Sequence, residues 1–357
     1  MNFEDYSLKT QKKNQHYIPK FYLRNFSYLQ NGKQIGLFNL ISGKYFPTGK
    51  LKTQGSKPFF YGYDGVIEEA LSKIEDKISK TIQDIIKTQS LPQKNSLDQE
   101  NLLMFVALTH LRNPVIINSI TEQSKHFEKL INESQPDSAK KFATPEITHR
   151  NAIDMVLSIL PNTIERLKDL EYKILINETS TSFITSDFPV ALYNQFLESK
   201  KWKHGKTGFA NVGLQIFIPL NPKITLTLFD SGIYKIGEKK KHKIVIRVVN
   251  DILQLNALQL LNCHESIFFN ENISENYIRT LISRTNGYNK PNQVKSSLNF
   301  INTESDPNPE YKNLMIMGST DLEIKLKISG INLNSKSKAY KFSRSVEQIR
   351  PQSYKNI

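Results

Sequence analysis

Residues 102–120 read LLMFVALTHLRNPVIINSI, and this stretch decides the fold class. Apolar residues occupy nearly every helical position, a pattern that predicts a helix buried on all sides at the centre of a core. Asn113 and Pro114 bend or interrupt it, because proline lacks the N–H that the preceding turn needs. Arg112 lies at the same step, and a buried guanidinium there requires a carboxylate partner.

The preceding helix, expected from about Asp64, offers two such carboxylates. Its apolar positions follow helical spacing: Ile67, Leu71, Ile74, Ile78, Ile82 and Ile85. At about 100° per residue, Glu68 and Glu75 lie within about 20° of each other, along one edge of the buried face and about 10 Å apart. Each therefore either contributes a ligand or a base to a site completed by other elements, or pairs with a cation such as Arg112.

The rest of the chain alternates further helices with β-like pieces. Strands are predicted at 36–40, 44–46, 172–176, 183–185, 213–219, 224–229 and 266–269, and further helices at about 145–170 and 249–261. We therefore expect an α+β fold in which a helical N-terminal half packs on a mixed or antiparallel sheet, with a small β-rich C-terminal appendage.

Composition changes along the chain suggest where that appendage begins. A main domain over 12–285 is followed by a stretch rich in Asn, Ser and Pro at 286–309, which predicts a linker. Residues 310–334, with an alternating apolar pattern near their end, predict a small β element, and 335–357 a basic, loose tail.

Charge and cysteine content restrict the classes of function. The net charge is +14, with 48 basic and 34 acidic residues. Clustered cations favour nucleic acid or another polyanion, yet only 9 of the 48 are arginine, so a chain shaped by its genome's base composition is the alternative. The single Cys263 excludes an internal disulfide and a Cys-rich zinc site. No apolar run approaches the ~18 residues of a membrane span, which favours a cytoplasmic location.

Residues 15–26, QHYIPKFYLRNF, interleave aromatic and basic side chains. Stacking aromatics beside cations suit single-stranded nucleic acid, which makes Tyr17 and Tyr22 candidates for substrate binding. Alternatively the aromatics anchor the segment in the core, and His16 and Arg24 then need polar partners.

Three more positions carry polar groups in settings that suggest a site. Asp187 follows a predicted strand between hydroxyl residues and Pro189, a common placement for a catalytic carboxylate and also an ordinary turn. Asn256 interrupts an apolar helix. Lys240 and Lys241 lie in the basic stretch 235–247 and are candidates for polyanion binding.

The segment 16–26 resembles the opening signature of an uncharacterised, mostly bacterial family, domain-of-unknown-function family 4238. Later landmarks resemble that family in the same order: the helix with Glu68 and Glu75, Arg112-Asn113-Pro114, Thr185-Ser186-Asp187-Phe188-Pro189, Ile218-Pro219-Leu220-Asn221-Pro222, and Leu255-Asn256. The resemblance spans about 12–270. It departs at Asn113 and Phe188, where the family has other residues. Because the family has no established reaction, the resemblance identifies a set of polar residues but implies no reaction for them.

Two functions follow as hypotheses. The first is a nuclease-like hydrolase acting on nucleic acid or a phosphorylated substrate. Its carboxylates, Glu68, Glu75 and Asp187, would hold Mg²⁺ or another divalent metal or act as a base. His16 would be the acid or base, with Arg24 and Arg112 stabilising phosphate charge. The second is a non-catalytic module that binds nucleic acid or protein, in which the polar set forms a structural buried ion network.

Overall fold

A computed structural model of the chain describes residues 13–134, 147–202, 205–288, 294–300, 313–319, 321–322, 324–338, 340 and 348–351. The helices are α1 (Lys20–Arg24), α2 (Val66–Thr88), α3 (Leu97–Leu111), α4 (Pro114–Ser134), α5 (His149–Ser158), α6 (Leu160–Leu167), α7 (Gln195–Ser199), α8 (Val249–Asn262), α9 (Glu275–Thr285) and α10 (Ser335–Lys338). The expected α+β class is confirmed.

The strands fall into sheets of different sizes. They are β1 (Asn14–His16), β2 (Gln34–Asn39), β3 (Lys44–Lys50), β4 (Ser56–Pro58), β5 (Glu171–Asn177), β6 (Thr185–Ser186), β7 (Ala191–Tyr193), β8 (Gln215–Asn221), β9 (Ile224–Phe229), β10 (Tyr234–Ile236), β11 (Lys243–Ile246), β12 (Ser266–Phe269), β13 (Val294–Phe300), β14 (Asn313–Ser319) and β15 (Ile331–Leu333). Short 3₁₀ turns, Tyr28–Gln30 and Leu51–Thr53, flank the first hairpin.

The stretch that decides the fold forms two helices. α3 begins at the Ser96 cap, whose hydroxyl accepts the N–H of Gln99 at 3.2 Å, and from Leu102 to Leu111 every residue except Met104 is buried. α3 and α4 meet at a 50° bend. Pro114 opens α4, where a missing N–H costs nothing, so the predicted interruption by proline is confirmed. No described helix is by itself long and apolar enough to cross a bilayer; α3 and α4 meet that test only as a bent pair.

A five-stranded sheet in the order β11-β5-β9-β8-β7 forms the central layer. β11 runs parallel to β5, and the other neighbours are antiparallel. Side chains alternate between two core clusters along one strand: Ile174 and Ile176 pack towards α2–α6, whereas Leu175 packs with α8 and β12. Both faces are therefore buried.

A second sheet, β3-β2-β12-β6, is antiparallel throughout and joins the first hairpin, β2–β3, to β6 and β12. β12 lies between β2 and β6, so the short strand that carries Thr185 and Ser186 is fixed beside the first hairpin. This arrangement brings the opening motif and the region of Asp187 into one part of the molecule.

The C-terminal third differs in detail from its expectation. The helix α9 and the strand β13 were not predicted, and β13 lies within the range expected as a linker. The described residues of the alternating stretch, 322 and 324–328, form no strand, but Leu322, Ile324, Leu326 and Ile328 are buried in the second core cluster. Arg350, in the expected loose tail, has only 1% of its surface exposed. The rest of that tail lies mostly outside the described residues.

Candidate functional site

The opening motif is held by backbone contacts to a single glycine. β1 pairs antiparallel with β4, and the N–H groups of Tyr17 and Ile18 both donate to the carbonyl of Gly55, at 2.9 and 3.1 Å. Gly55 has a φ of +61°, and a Cβ there would lie 2.8 Å from Cβ of Ile18. Glycine is thus required at this position, and α1 follows directly after Pro19.

Arg112 pairs with Glu75, one of the two carboxylates on the edge of α2. Its Nη1 lies 2.7 Å from Oε1 of Glu75, and the two side chains are 1% and 21% exposed. Burial alone would lower the pKa of Arg112, but neighbouring groups, Glu75 among them, reverse this and the net shift is upward. Among the described residues, no acceptor is placed to form a hydrogen bond of good geometry with any of the three guanidinium nitrogens of Arg112. The two charged groups are therefore close, and the guanidinium keeps N–H donors that no hydrogen bond uses.

Glu68 and Tyr61 complete this buried cluster. Glu68 lies near enough to raise the pKa of both Arg112 and Tyr61, although burial is the largest cause for the tyrosine. The Tyr61 hydroxyl donates to the backbone carbonyl of His16 at 3.2 Å. The edge of α2 is thereby connected to the opening motif through Tyr61.

His16 lies at the boundary between this cluster and the surface. Burial is the main cause that lowers its pKa, and the nearby Lys20 ammonium lowers it further. Glu75 and a hydrogen bond to the backbone carbonyl of Lys52 act in the opposite direction. The ring is therefore neutral at pH 7. Its Nε2 is buried and has no partner among the described residues, so it is free to accept a proton or a hydrogen bond.

Asp187 belongs to a different local structure. Its carboxylate accepts three backbone N–H groups, from His264 at 2.9 Å, Glu265 at 2.6 Å and Ser266 at 3.1 Å. Burial raises its pKa despite these bonds. A carboxylate occupied in this way fixes the turn into β12, and this geometry does not support Asp187 as a metal ligand or catalytic base together with Glu68 and Glu75.

Two of the proposed substrate-binding side chains are core residues. Tyr22 is fully buried, and its hydroxyl bonds to the Pro219 carbonyl at 2.7 Å and Thr185 Oγ1 at 2.6 Å. Asn256 is equally buried and donates to the Ser182 carbonyl at 2.9 Å. Neither can meet a ligand.

Tyr17 also packs inward. It is 8% exposed, and its ring lies 5.7 Å from that of Phe60. Burial raises the pKa of its hydroxyl. For the aromatics of the opening motif, anchoring is therefore the arrangement found, and stacking on a nucleic-acid base is not supported.

Arg24 lies at a concave surface that sequence reasoning did not predict. A pocket of about 500 Å³ is lined by Lys20, Arg24, Asn31, Gly32, Lys33, Gln34, Lys50 and Lys52, which we call the cationic pocket. Five of these residues are cationic and none is acidic. None of the five cations forms an ion pair in the part of the chain that the structure describes.

The local geometry explains why these charges converge. Lys20 and Arg24 are one helical turn apart on α1, so they share a face. Lys33 and Lys50 lie at the open end of the first hairpin, where the Leu51 N–H donates to the Lys33 carbonyl at 3.0 Å. The sequence signal was the run of lysines before and after the hairpin, but only the strand register shows that they meet.

The proposed basic residues Lys240 and Lys241 lie elsewhere, on the turn between β10 and β11. Both are exposed, and Lys241 Nζ lies 2.6 Å from Oε1 of Glu238. They do not contribute to the cationic pocket.

The proposed metal site has no geometric support. Within the described ranges no group of three or more His, Cys, Asp or Glu side chains is placed to hold a metal ion. Of the three proposed ligands, Glu75 is bound to Arg112 and Asp187 to backbone N–H groups. The residues present do not fit a divalent cation.

Comparison with known proteins identifies the family and nothing more. Neither a curated protein nor a solved structure matches this chain. The model of one family, described as a protein of unknown function (DUF4238), matches residues 14–272, a range that includes β1, the Arg112–Glu75 pair, the cationic pocket and Asp187. With most of its length matched, the chain belongs to the DUF4238 family.

Proposed function

We propose that the protein binds a phosphorylated ligand through its phosphate groups in the cationic pocket. The observation that carries this proposal is the convergence of five cations without an acidic neighbour in one concavity. Lysine and arginine held close together repel one another, and a bound polyanion removes that cost while releasing counterions. Ion-paired surface lysines offer no such gain.

The size and lining of the pocket define the ligand further. About 500 Å³ lies within the range of roughly 300–1,000 Å³ typical of small-ligand sites. The lining contains no aromatic side chain, so a base would not be stacked. Recognition by charge is therefore expected, as for the polyphosphate of a nucleotide or the backbone of a nucleic acid.

The test compares two charge-matched double variants. Lys33→Gln with Lys50→Gln removes two pocket cations, whereas Lys77→Gln with Lys87→Gln removes two exposed lysines of α2. Binding of a labelled single-stranded RNA of about 12 nucleotides is measured by fluorescence anisotropy across a salt series. ADP is the competitor that separates nucleotide from nucleic-acid recognition.

The pocket variant is expected to weaken binding by about tenfold or more and to reduce the slope of log K against log salt by about 1 to 2. The α2 variant is expected to remain within about twofold of the unmodified protein, since general surface charge contributes weakly. Equal losses in the two variants, or no binding of RNA and ADP, would contradict the proposal.

His16 favours a second candidate function, hydrolysis of the bound phosphate ester. Its ring is hydrogen-bonded to the backbone carbonyl of Lys52 and lies near Lys20, two residues that line the pocket. Its buried Nε2, which has no partner among the described residues, would be the base. His16→Gln is then expected to abolish release of labelled product while RNA binding persists. Asp187→Asn serves as the comparison, because its expected effect is lower stability. Hydrolysis that survives His16→Gln would remove this candidate.

A further inference from the structure

The free edge of β11 carries an inference that is independent of the cationic pocket. β11 is the terminal strand of the five-stranded sheet, and β5 is the only described strand with which it pairs. The N–H of Ile174 donates to the His242 carbonyl at 2.9 Å, and that of Glu178 to the Ile246 carbonyl at 3.0 Å. Even-numbered residues of β11 therefore turn their backbone groups towards β5.

The alternation of a strand directs the other backbone groups outwards. Those of Lys243, Val245 and Arg247 point away from β5. They form no hydrogen bond with the described part of the chain. An edge of this kind is a template for pairing with another extended segment.

This edge faces a cleft rather than open surface. A concavity of about 540 Å³ is lined by Lys235, Gly237, Glu238, Lys241, Lys243, Ile244, Val245, Arg247, Gly330 and Asn332. β10 and β15, paired antiparallel, form the opposite wall. An extended segment entering the cleft would thus have β11 on one side and the β10–β15 ribbon on the other.

Charge selects the kind of segment. Four cations and one acid line the cleft. Lys235 and Lys243 form no ion pair among the described residues, and the Lys241–Glu238 and Arg247–Glu178 pairs, at 2.6 and 3.0 Å, are exposed enough to exchange partners at little cost.

An apolar component adjoins these charges. Val245 is 38% exposed in the cleft, and Val248 and Val249, directly after β11, are 47% and 43% exposed. Side chains of an added strand alternate between two faces, so acidic residues alternating with apolar ones match this surface.

We propose that β11 is the docking site for an extended acidic segment of a partner protein, which pairs with the free edge as an additional strand. The backbone groups of Lys243, Val245 and Arg247 supply the hydrogen bonds, and the surrounding lysines supply the preference for acidic side chains.

The probe is a labelled, capped hexapeptide of alternating glutamate and valine, compared with the same peptide N-methylated at alternate residues. The methylated peptide keeps every charge but cannot donate along one edge. The unmodified probe is expected to bind about tenfold or more tightly than the methylated one and to protect the amides of residues 243–247 from hydrogen exchange.

Variants locate the site on the protein. Val245→Pro removes an outward N–H without touching the β5 ladder, and about a tenfold loss of affinity is expected with an unchanged melting temperature. The Lys33→Gln, Lys50→Gln variant of the cationic pocket is expected to bind the peptide normally. Should Val245→Pro unfold, the methylated probe on the unmodified protein still decides.

Three results would overturn the proposal: equal affinity for both peptides, no binding of either, or displacement of the peptide by single-stranded RNA with RNA protection of residues 243–247. The last would make the cleft a polyanion surface.

Discussion

At the scale of single residues, Arg112 and Glu75 show how a charge enters the centre of this fold. The guanidinium is almost completely buried at the end of α3, whereas the carboxylate on α2 keeps 21% of its surface exposed. The pairing followed from sequence because both partners lie on regular helices whose faces can be calculated. The difference in exposure could not be predicted from the sequence. Because of it, we expect the loss of one partner to cost a different free energy of unfolding from the loss of the other.

We predict that Glu75→Gln lowers the free energy of unfolding by about 2–4 kcal/mol, because it leaves a buried cation with less compensation. Arg112→Met is expected to cost less, about 1 kcal/mol, since the remaining carboxylate can hydrate. Urea unfolding of both single variants and the double variant measures this. A larger cost for Arg112→Met would mean that the packing of the guanidinium matters more than its charge.

His110 provides a second prediction at this scale. Its ring lies between Phe188 and Phe209, at centroid distances of 5.0 and 5.2 Å, and burial lowers its pKa to about 4 from 6.5. The unfolded chain therefore binds a proton between pH 6.5 and 4 that the folded chain does not. The contribution is fully present above pH 6.5 and is lost as the pH falls towards 4.

Because a pKa difference of one unit corresponds to about 1.4 kcal/mol, this loss is on the order of 3 kcal/mol. His110→Leu is expected to flatten the dependence of unfolding free energy on pH over that window. Comparing it with the unmodified protein cancels the other titrating groups, including His16. If the pH dependence of the unfolding free energy were the same in His110→Leu, the imidazole of His110 would not be its source.

Asp187 marks the limit of prediction for single residues. Its position after a strand, beside hydroxyl residues, suggested catalysis. Its partners are backbone N–H groups of residues 264–266, nearly 80 positions away in sequence. Since any residue type except proline carries such a donor, no sequence pattern indicates this contact.

At the scale of elements, periodicity predicted individual helices, but it did not predict features that depend on how strands are placed. α2 and α3 were predicted from their apolar spacing, and the bend from Pro114. The cationic pocket was not predicted, because it needs the register of the β2–β3 hairpin and the placement of α1 against it. The stretch 322–328 had the alternation of a strand, and Leu322, Ile324, Leu326 and Ile328 are buried, but none of the described strands pairs with it.

The placement of α1 depends on Gly55, which gives an element-scale prediction. Gly55→Ala adds the cost of a positive φ and forces a Cβ to within 2.8 Å of Ile18. Gly43→Ala is the matched control, since its φ is +66° and nothing lies within 4 Å. We expect about 1 kcal/mol for the control and about 1–3 kcal/mol more for Gly55→Ala, measured by urea unfolding. Equal costs would show that Ile18 moves aside freely.

At the scale of the whole molecule, one contact joins distant parts of the chain. Arg350 Nε lies 2.7 Å from Oδ2 of Asp169, and Nη2 lies 2.9 Å from Oδ1. The same guanidinium donates to the carbonyls of Asn211 at 2.9 Å, Phe209 at 2.9 Å and Arg166 at 2.6 Å. At Arg350, the basic tail that was expected to be loose is therefore fixed to the rest of the protein. We call this set of contacts the strap, and composition alone could not predict it.

We predict that Arg350→Lys lowers the free energy of unfolding by about 2–4 kcal/mol, although it retains the charge. An ammonium cannot reproduce a planar fork that serves one carboxylate and three carbonyls. Hydrogen exchange near residues 209–212 is expected to rise in parallel. Lys338→Arg, at an exposed position of α10, is the control and should change neither quantity. If Arg350→Lys were as stable as the unmodified protein, the hydrogen bonds of the strap would not contribute to the free energy of unfolding.

The same strap has a consequence for how the protein is made. Asp169 leaves the ribosome 181 residues ahead of Arg350, a delay of roughly 10–40 s at ordinary rates of translation. Once Asn211 has also been synthesised, the nascent chain carries a carboxylate and three carbonyls whose final donor is still to be made. A product that stops before residue 350 would leave those acceptors without this donor.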